Sequence, residues 1–229
     1  IAYYFPECEG INMDATVTSI LHKSQEELEM LARKKVKHLY LGIESGLDDV
    51  LKFMKKDHDL AQAYQAIDRL HEAGLIYDAH IMTGVAGKGR GMENAEALAQ
   101  FLNRTNPAHV VNFSMFLHKE VPLYQDIRQG TFVPADELET IREEYHLIER
   151  IAPEKAGANI LYDGFHDFIH VRVRGHLPGD KEKMLAKLNG IIQEYEGKEP
   201  VYSFVQGECP DLEYCDDGKA VWDMDRKTS

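Results

Sequence analysis

Residues 38–95 read HLYLGIESGLDDVLKFMKKDHDLAQAYQAIDRLHEAGLIYDAHIMTGVAGKGRGMENA, and this stretch decides the fold. Residues 37–43 form a short run of aliphatic and aromatic side chains that predicts a strand, and residues 76–82 predict a second one. Between the two runs, apolar side chains recur at helical spacing and stop at Gly74, a typical position for glycine after a helix. This order predicts two parallel strands joined by a right-handed crossover.

The same alternation continues on both sides of this stretch. Residues 15–20 (ATVTSI) predict an earlier strand, followed by a helix that opens at Ser24 with Glu27 completing a capping box. Residues 93–104 predict a helix, and residues 109–117 predict the most hydrophobic strand. Four strands alternating with three helices indicate a parallel α/β sheet covered by helices.

The pattern changes after the fourth strand. Residues 136–150 predict a helix with Asp136 and Glu139 as a capping box, residues 180–195 predict another helix, and residues 165–173 predict a strand. The prediction therefore divides the chain into an α/β segment, a helical or mixed extension and an acidic, loop-rich tail: residues 1–133, 134–200 and 201–229.

Composition excludes several classes of protein. In 229 residues, 44% are hydrophobic and 28% charged, which is typical of a globular domain. The net charge of −13 opposes a phosphate backbone, so we expect no nucleic-acid partner. No apolar run reaches the roughly 20 residues of a membrane span, so we expect no membrane partner. Three scattered cysteines form no disulfide framework, which favours a cytoplasmic location.

Ligands of parallel α/β folds bind at the carboxyl ends of the strands, and this rule selects Glu44 and Ser45 first. A carboxylate at a strand end can accept hydrogen bonds from a ribose diol or bind an ammonium group. It can equally serve as a helix cap or an exposed loop acid. Gly46 permits an unusual backbone angle that would place these side chains over the sheet.

The glycine-rich loop at residues 84–91 (GVAGKGRG) follows the third strand. It does not fit a P-loop, because Lys88 is followed by Gly89 rather than by Ser or Thr. Its spacing favours a mobile loop, and its free N–H groups leave open the binding of a small metabolite.

Histidines and cysteines give weaker patterns. His166, His170 and His176, together with Asp163, could bind a metal ion, but their uneven spacing favours a structural or surface role, so no metal ligand is assigned. Cys209 and Cys215 match no zinc or iron–sulfur spacing.

Several motifs together, over roughly residues 11–190, resemble a radical S-adenosylmethionine (radical SAM) protein. They are most similar to the coproporphyrinogen III oxidase-like or Elp3-like group of Fe–S oxidoreductases. The resemblance rests on the order and spacing of GIESG (42–46), the helix at 50–56 with Asp57, LHEAG (70–74), IMTG (81–84), Phe116, PLY (122–124), Gly130, Phe132 and GHLPGDKEKML (175–185).

The resemblance implies a partial (β/α) TIM-like barrel with parallel strands, followed by a helical extension and an acidic tail. It implies a [4Fe–4S] cluster that cleaves S-adenosylmethionine to give a 5′-deoxyadenosyl radical. The radical would abstract hydrogen from a substrate that is a small molecule or is unknown. The group holds its cluster with CxxxCxxC, which this chain lacks, since Cys8 stands alone before the first strand. We therefore expect the motif to lie upstream of Ile1. We also expect the chain alone to bind neither the cluster nor S-adenosylmethionine, and so to be an inactive fragment.

The resemblance also implies site residues. Glu44 and Ser45 would contact the ribose or the amino acid part of S-adenosylmethionine. Ile81 and Gly84 would flank the adenine through backbone contacts. Either Phe116 or Leu117 would pack on it.

Removing strands from a barrel leaves an exposed sheet edge, so we expect a homodimer through that edge or a C-terminal segment folded over it. Two other functions remain open at this point. One is a non-redox α/β domain that binds a small metabolite with the loop at residues 84–91. The other is a metal-dependent barrel hydrolase that uses His166 and His170.

Overall fold

The computed structural model of the chain describes residues 4–204, 212–214 and 220–222. Its main sheet has six strands that follow one another in chain order. The first five are parallel, and the sixth is antiparallel to the fifth. The strands are β1 (Ile11–Ala15), β2 (Val36–Glu44), β3 (Ile76–Thr83), β4 (His109–Ser114), β5 (Ile160–His166) and β6 (Val171–Leu177).

Eight α-helices lie within the described residues, and none of these is long and apolar enough to cross a membrane. They are α1 (Val17–Leu21), α2 (Gln25–Arg33), α3 (Asp48–Phe53), α4 (Leu60–Glu72), α5 (Gly91–Thr105), α6 (Leu123–Arg128), α7 (Glu137–Arg150) and α8 (Lys181–Tyr195). A separate pair of short antiparallel strands is formed by β7 (Leu212–Tyr214) and β8 (Ala220–Trp222).

The predicted stretch at the centre of the chain is confirmed. Asp59 caps α4 by accepting a hydrogen bond from the Gln62 N–H, and the Gln62 side chain completes the capping box. The helix ends at Glu72 with Ala73 as its C-cap, and Gly74 follows with a φ of 74°. Glycine adopts this left-handed conformation without the steric cost that a Cβ imposes. The chain can therefore turn sharply from α4 into β3.

The strand predicted at residues 15–20 is wrong. The first strand is β1, and Thr16 then caps α1 in a capping box with Ser19. Threonine is favoured in strands and also at the N-cap of a helix, where its hydroxyl accepts a hydrogen bond from a free backbone N–H. Here the capping contact determines the local structure. The β-branched side chains of Val17 and Ile20 are buried on the helix instead.

The strand predicted at residues 165–173 is also wrong, because a hairpin turn interrupts it. Asp167–Ile169 form a 3₁₀ turn, and His170 has a φ of 54°. The fourth strand stops at Ser114 rather than at residue 117. In the predicted capping box of α7, Asp136 accepts from the Glu139 N–H, but the Glu139 carboxylate bonds to the Gly89 N–H.

The two faces of the main sheet differ in chemistry, because side chains alternate along each strand. One face packs on the helices and forms the core, with Leu39, Leu41, Ile43, Tyr77, Ala79, Ile81, Val110 and Tyr162. The other face carries polar and aromatic side chains that contact one another, namely His38, Tyr40, Asp78, His80, His109 and Phe113.

Helix α7 approaches the sheet closely because glycines face it. A Cβ on Gly84 would lie 2.8 Å from Thr140 Cγ2 on this helix. A Cβ on Gly164 in β5 would overlap the carboxylate of Glu144. These contacts leave no space for a side chain at either position.

The C-terminal extension continues the same sheet, since β5 pairs with β4. The Leu117 N–H bonds to the Ser203 carbonyl, and the Glu137 N–H bonds to the Val201 carbonyl, so residues 201–204 lie near the end of β4. Among the described residues, β1 pairs only with β2. The domain boundaries and the homodimer through the exposed edge stay predictions, and most of the acidic tail lies outside the described residues.

We expect Gly164→Ala to destabilise the protein by about 2 kcal/mol, because overpacking forces α7 away from the sheet. Urea denaturation followed by circular dichroism measures this change. Gly190→Ala is the matched control, since nothing lies within 4 Å of a Cβ there and alanine favours a helix. Equal stabilities for the two variants would contradict the close packing of α7.

Candidate functional site

Glu44 ends β2 in a strained conformation at the carboxyl edge of the sheet. Its φ is 62°, a left-handed value that costs a non-glycine residue of order 1 kcal/mol and that recurs at ligand sites. The Lys56 Nζ donates to Glu44 Oε1 at 3.1 Å, and both side chains are about one quarter exposed. A Cβ on Gly42 would lie 2.7 Å from the same oxygen. The carboxylate is thus held in a fixed place while part of it faces solvent.

Ser45 contributes from inside the protein, because its side chain is fully buried. Its hydroxyl donates to Asn94 Oδ1 at 2.6 Å and accepts from the Leu47 N–H at 3.1 Å. The Gly46 N–H also donates to Asn94 Oδ1. The hydroxyl of Ser45 therefore fixes the turn after β2.

The end of β3 lies beside Glu44. Ile81 is the register partner of Glu44, and its side chain is buried on the helix face, so only its backbone is available at the edge. Gly84 turns away from the strand with a φ of 82°, and its N–H donates to Glu143 Oε2 at 2.8 Å. The structure thus brings four of the predicted site residues, Glu44, Ser45, Ile81 and Gly84, to one edge of the sheet.

Phe116 and Leu117 follow β4 at the same edge but differ in exposure. Phe116 is 55% exposed, whereas Leu117 is 3% exposed in an apolar cluster with Phe132 and Phe204. Only Phe116 therefore presents its side chain to a ligand.

Behind this edge lies a buried polar layer, which we define as Asn94, Asn112, Glu137, Glu143, Glu144 and His166. Glu144 accepts hydrogen bonds from the Asn112 amide (3.2 Å) and the Tyr162 hydroxyl (3.0 Å). His166 places one ring nitrogen 3.0 Å from Glu144 and the other 3.0 Å from Glu137. The layer joins α5, α7, β4 and β5 behind the two turns.

The two glutamates hold His166 in its charged form. Burial by itself lowers the pKa of the imidazole, but Glu144 and Glu137 outweigh burial and raise that pKa to about 10. We call Glu137, His166 and Glu144 the clamp. Ser114 and Ser203 donate to the other oxygen of Glu137, so the segment after α8 is bonded to the clamp. The clamp is an ion triad with no exposed member.

Reasoning from the sequence missed the polar layer. Acidic residues on an amphipathic helix usually mark its solvated face. One signal was present, because Glu137 and Glu144 lie seven residues apart and in helical phase with the apolar residues Ile141 and Ile148, which are buried. Helical phase alone therefore placed these carboxylates on the buried side.

No group of three or more residues suited to a metal ion occurs among the described residues. Both ring nitrogens of His166 face glutamates, and His170 and His176 are exposed. The sequence does not place its cysteines in CxxxCxxC: Cys8 donates to the Gly10 carbonyl, and Cys209 and Cys215 lie outside the described residues. The residues present therefore do not fit a [4Fe–4S] cluster.

The glycine-rich loop is held by hydrogen bonds to α7 and to residue 133. The N–H groups of Gly84 and Gly89 donate to Glu143 and Glu139, and that of Lys88 donates to the Val133 carbonyl. A cavity of about 340 Å³ lies beside the loop, bordered by Phe53, Phe132 and Arg90 among others. These donors are already used, so they cannot also cradle an anion.

We expect His166→Gln to lower the free energy of unfolding at pH 7 by about 3 kcal/mol, because two buried carboxylates lose their cationic partner. The pKa of folded His166, about 10, lies above the ordinary 6.5. The stability of the clamp is therefore complete below pH 6.5 and is lost as the pH rises through 10. Urea denaturation across this range should show the wild type and the variant converging.

The control for this change is His176→Gln, at an exposed position on β6. It should leave the stability within about 0.5 kcal/mol of the wild type. If the two glutamine variants unfold alike at pH 7, the charged clamp does not stabilise the fold as described.

Comparison with known proteins finds a family that matches part of the chain, and relatives that include a curated protein and a solved structure. Residues 4–102 match the radical SAM superfamily. The tRNA uridine(34) acetyltransferase of Methanocaldococcus infernus is 25% identical over 119 residues, which cover 52% of this chain and 22% of that protein. The solved structure of archaeal Methanocaldococcus infernus Elp3 with an N-terminal deletion (1–46) has a TM-score of 0.60 at 17% identity, covering 82% of this chain and 42% of that one.

The chain thus spans less than half the length of either protein. The structural likeness confirms the predicted partial-barrel fold, with the difference that β6 is antiparallel. Residues 4–102 of the chain thus match the radical SAM superfamily, and the fold of the chain is similar to that of the archaeal Elp3 structure.

Proposed function

We propose that this chain forms the edge that holds S-adenosylmethionine, together with the substrate-facing surface of the sheet, in a radical SAM enzyme. The observation that carries the proposal is the strained, partly exposed carboxylate of Glu44 beside the Lys56 ammonium. Both lie at the carboxyl end of parallel strands, where ligands of such folds bind. The match of residues 4–102 to the radical SAM superfamily supports the choice of ligand.

The residues at this edge fit the polar groups of S-adenosylmethionine. A carboxylate next to an ammonium complements the ammonium and carboxylate of the amino acid part, and the carboxylate alone can accept from a ribose diol. Gly84 has no side chain, so an adenine ring can approach the backbone after β3. Phe116 offers an exposed aromatic face for the same ring.

S-adenosylmethionine supplies, when bound, the hydrogen-abstracting chemistry of the superfamily. This chain's own residues would bind and orient it: Glu44 and Lys56 hold its polar end, and Ser45 keeps the turn in place from inside. Because the cysteines present do not fit a cluster, we assign no reductive step to this chain. We expect the chain to be inactive by itself. In contrast to the expectation from the sequence, the proposal requires the chain alone to bind S-adenosylmethionine, because Glu44 and Lys56 both lie within it.

The substrate would face the polar side of the sheet. There His38 bonds to Asp78 at 2.6 Å, and Tyr40 lies 3.2 Å from the His109 ring nitrogen. Burial raises the pKa of Asp78, although its bond to His38 acts in the opposite direction. The curated relative is named for acetyl transfer to a tRNA uridine, so an oxidoreductase activity of this chain stays a prediction.

The small-metabolite alternative at residues 84–91 has less support. The N–H groups of Gly84, Lys88 and Gly89 are taken up within the protein, and the loop lies inside the segment that matches the radical SAM superfamily. The hydrolase alternative loses its basis because both nitrogens of His166 face glutamates.

We expect Glu44→Gln to weaken binding of S-adenosylmethionine about tenfold, equivalent to about 1.4 kcal/mol for one charge-assisted contact. Isothermal titration calorimetry on the purified chain near neutral pH measures this change. The free energy of unfolding should stay the same in Glu44→Gln, because glutamine keeps the shape of the side chain.

Glu29→Gln, on the exposed surface of α2, is the matched control and should bind as the wild type does. Equal affinities of the wild type and Glu44→Gln, or a wild-type chain with no measurable affinity, would overturn the proposed function.

A further inference from the structure

Glu143 is a buried carboxyl group that faces no cation at hydrogen-bonding distance among the described residues. It lies on α7 and is 1% exposed. Its Oε1 accepts from the Asn94 amide at 2.7 Å, and its Oε2 accepts from the Gly84 N–H at 2.8 Å. A buried carboxyl bonded only to neutral donors is costly, so its presence needs a reason beyond packing.

Its two bonds connect the two turns of the cofactor edge. The bond to Gly84 holds the turn after β3 directly. The bond to Asn94 holds the turn after β2 through one intermediate, because the Asn94 oxygen accepts from the Ser45 hydroxyl and the Gly46 N–H. One side chain therefore sets the separation of both turns.

The surrounding backbone leaves space for this carboxyl and for nothing larger. A Cβ on Gly91, the first residue of α5, would lie 2.9 Å from Glu143 Oε2. A Cβ on Gly46 would overlap the backbone of α5 at Ala97 and Leu98. The turn after β2 thus rests against the same helix that carries Asn94.

We propose that Glu143 is a positioning residue of the cofactor edge, which holds the turns at Ser45 and Gly84 in the relative placement that S-adenosylmethionine requires. The inference rests on the proposed function. Glu143 lies behind both turns, and no ligand contact is assigned to it.

The ionisation of Glu143 gives this role a measurable signature. Burial raises its pKa to about 8, while the bonds from Asn94 and Gly84 act in the opposite direction. Of the charged groups around it, Glu139 on the same helix raises the pKa and His166 from β5 lowers it; His166 is itself held by Glu137 and Glu144. Ionisation strengthens acceptance from both donors, so both turns should sense it.

Nuclear magnetic resonance of the backbone amides tests this coupling in the wild-type chain. The amide signals of Gly84 and Gly46 should titrate with one shared midpoint near pH 8. In Glu143→Gln that shared titration should disappear from both. The control Glu139→Gln removes a carboxylate that is bonded to Gly89 one turn away on the same helix. The shared titration should remain in this variant, with its midpoint moved to lower pH because Glu139 no longer raises the pKa of Glu143.

Ligand affinity provides the second readout. S-adenosylhomocysteine serves as the probe at pH 9, because it is stable in alkali and keeps the adenosine and amino acid parts. Glu143→Gln should bind it about tenfold more weakly than the wild type and Glu139→Gln. Equal affinity, or a titration at Gly46 that persists in Glu143→Gln, would overturn the role of Glu143.

A wild-type chain that binds neither S-adenosylmethionine nor this probe would instead overturn the proposed function. The amide titration would then decide separately whether Glu143 couples the two turns. If Glu143→Gln does not fold, the wild-type chain still tests the coupling. Different titration midpoints for the Gly84 and Gly46 amides in the wild type would contradict it.

Discussion

The carboxyl edge of this sheet depends on one constraint, which is that the glutamates of α7 are buried and must be satisfied. Glu137, Glu143 and Glu144 are each at most 2% exposed. An unsatisfied carboxyl at such depth costs several kcal/mol, so donors must converge on it. Those donors come from Asn94 on α5, from the turn after β3, from β4 and β5, and from residue 203. The turn after β2 is held one step further away, because its donors bond to Asn94. The polar layer therefore specifies how these elements meet.

A rigid support explains how the edge can retain a strained residue. Glu44 has a left-handed backbone conformation, which favours glycine and is strained for a residue with a Cβ. The turn that follows it is fixed by Ser45 and Asn94, and Gly42 leaves room for its carboxylate. Strain at one exposed carboxylate is thus balanced by satisfied hydrogen bonds in the layer behind it.

Local patterns predicted the alternation of parallel strands with helices, α4 and the position of Glu44 at a strand end, because periodicity, caps and the strand-end rule are all encoded in neighbouring residues. The polar layer depends on partners from 18 to 66 positions apart, which no local pattern contains. The turn at His170 was missed for a related reason, since a histidine with positive φ is imposed by the hairpin rather than by its own preference.

The central claim is that the turns after β2 and β3, supported by α7, bind S-adenosylmethionine. Backbone amide spectra of the chain, recorded while S-adenosylmethionine is added, test it most directly. We predict that the shifts concentrate at residues 42–46 and 81–84. Shifts confined to the 340 Å³ cavity around Phe53, Val85 and Phe132 would contradict the account and place the ligand beside the glycine-rich loop.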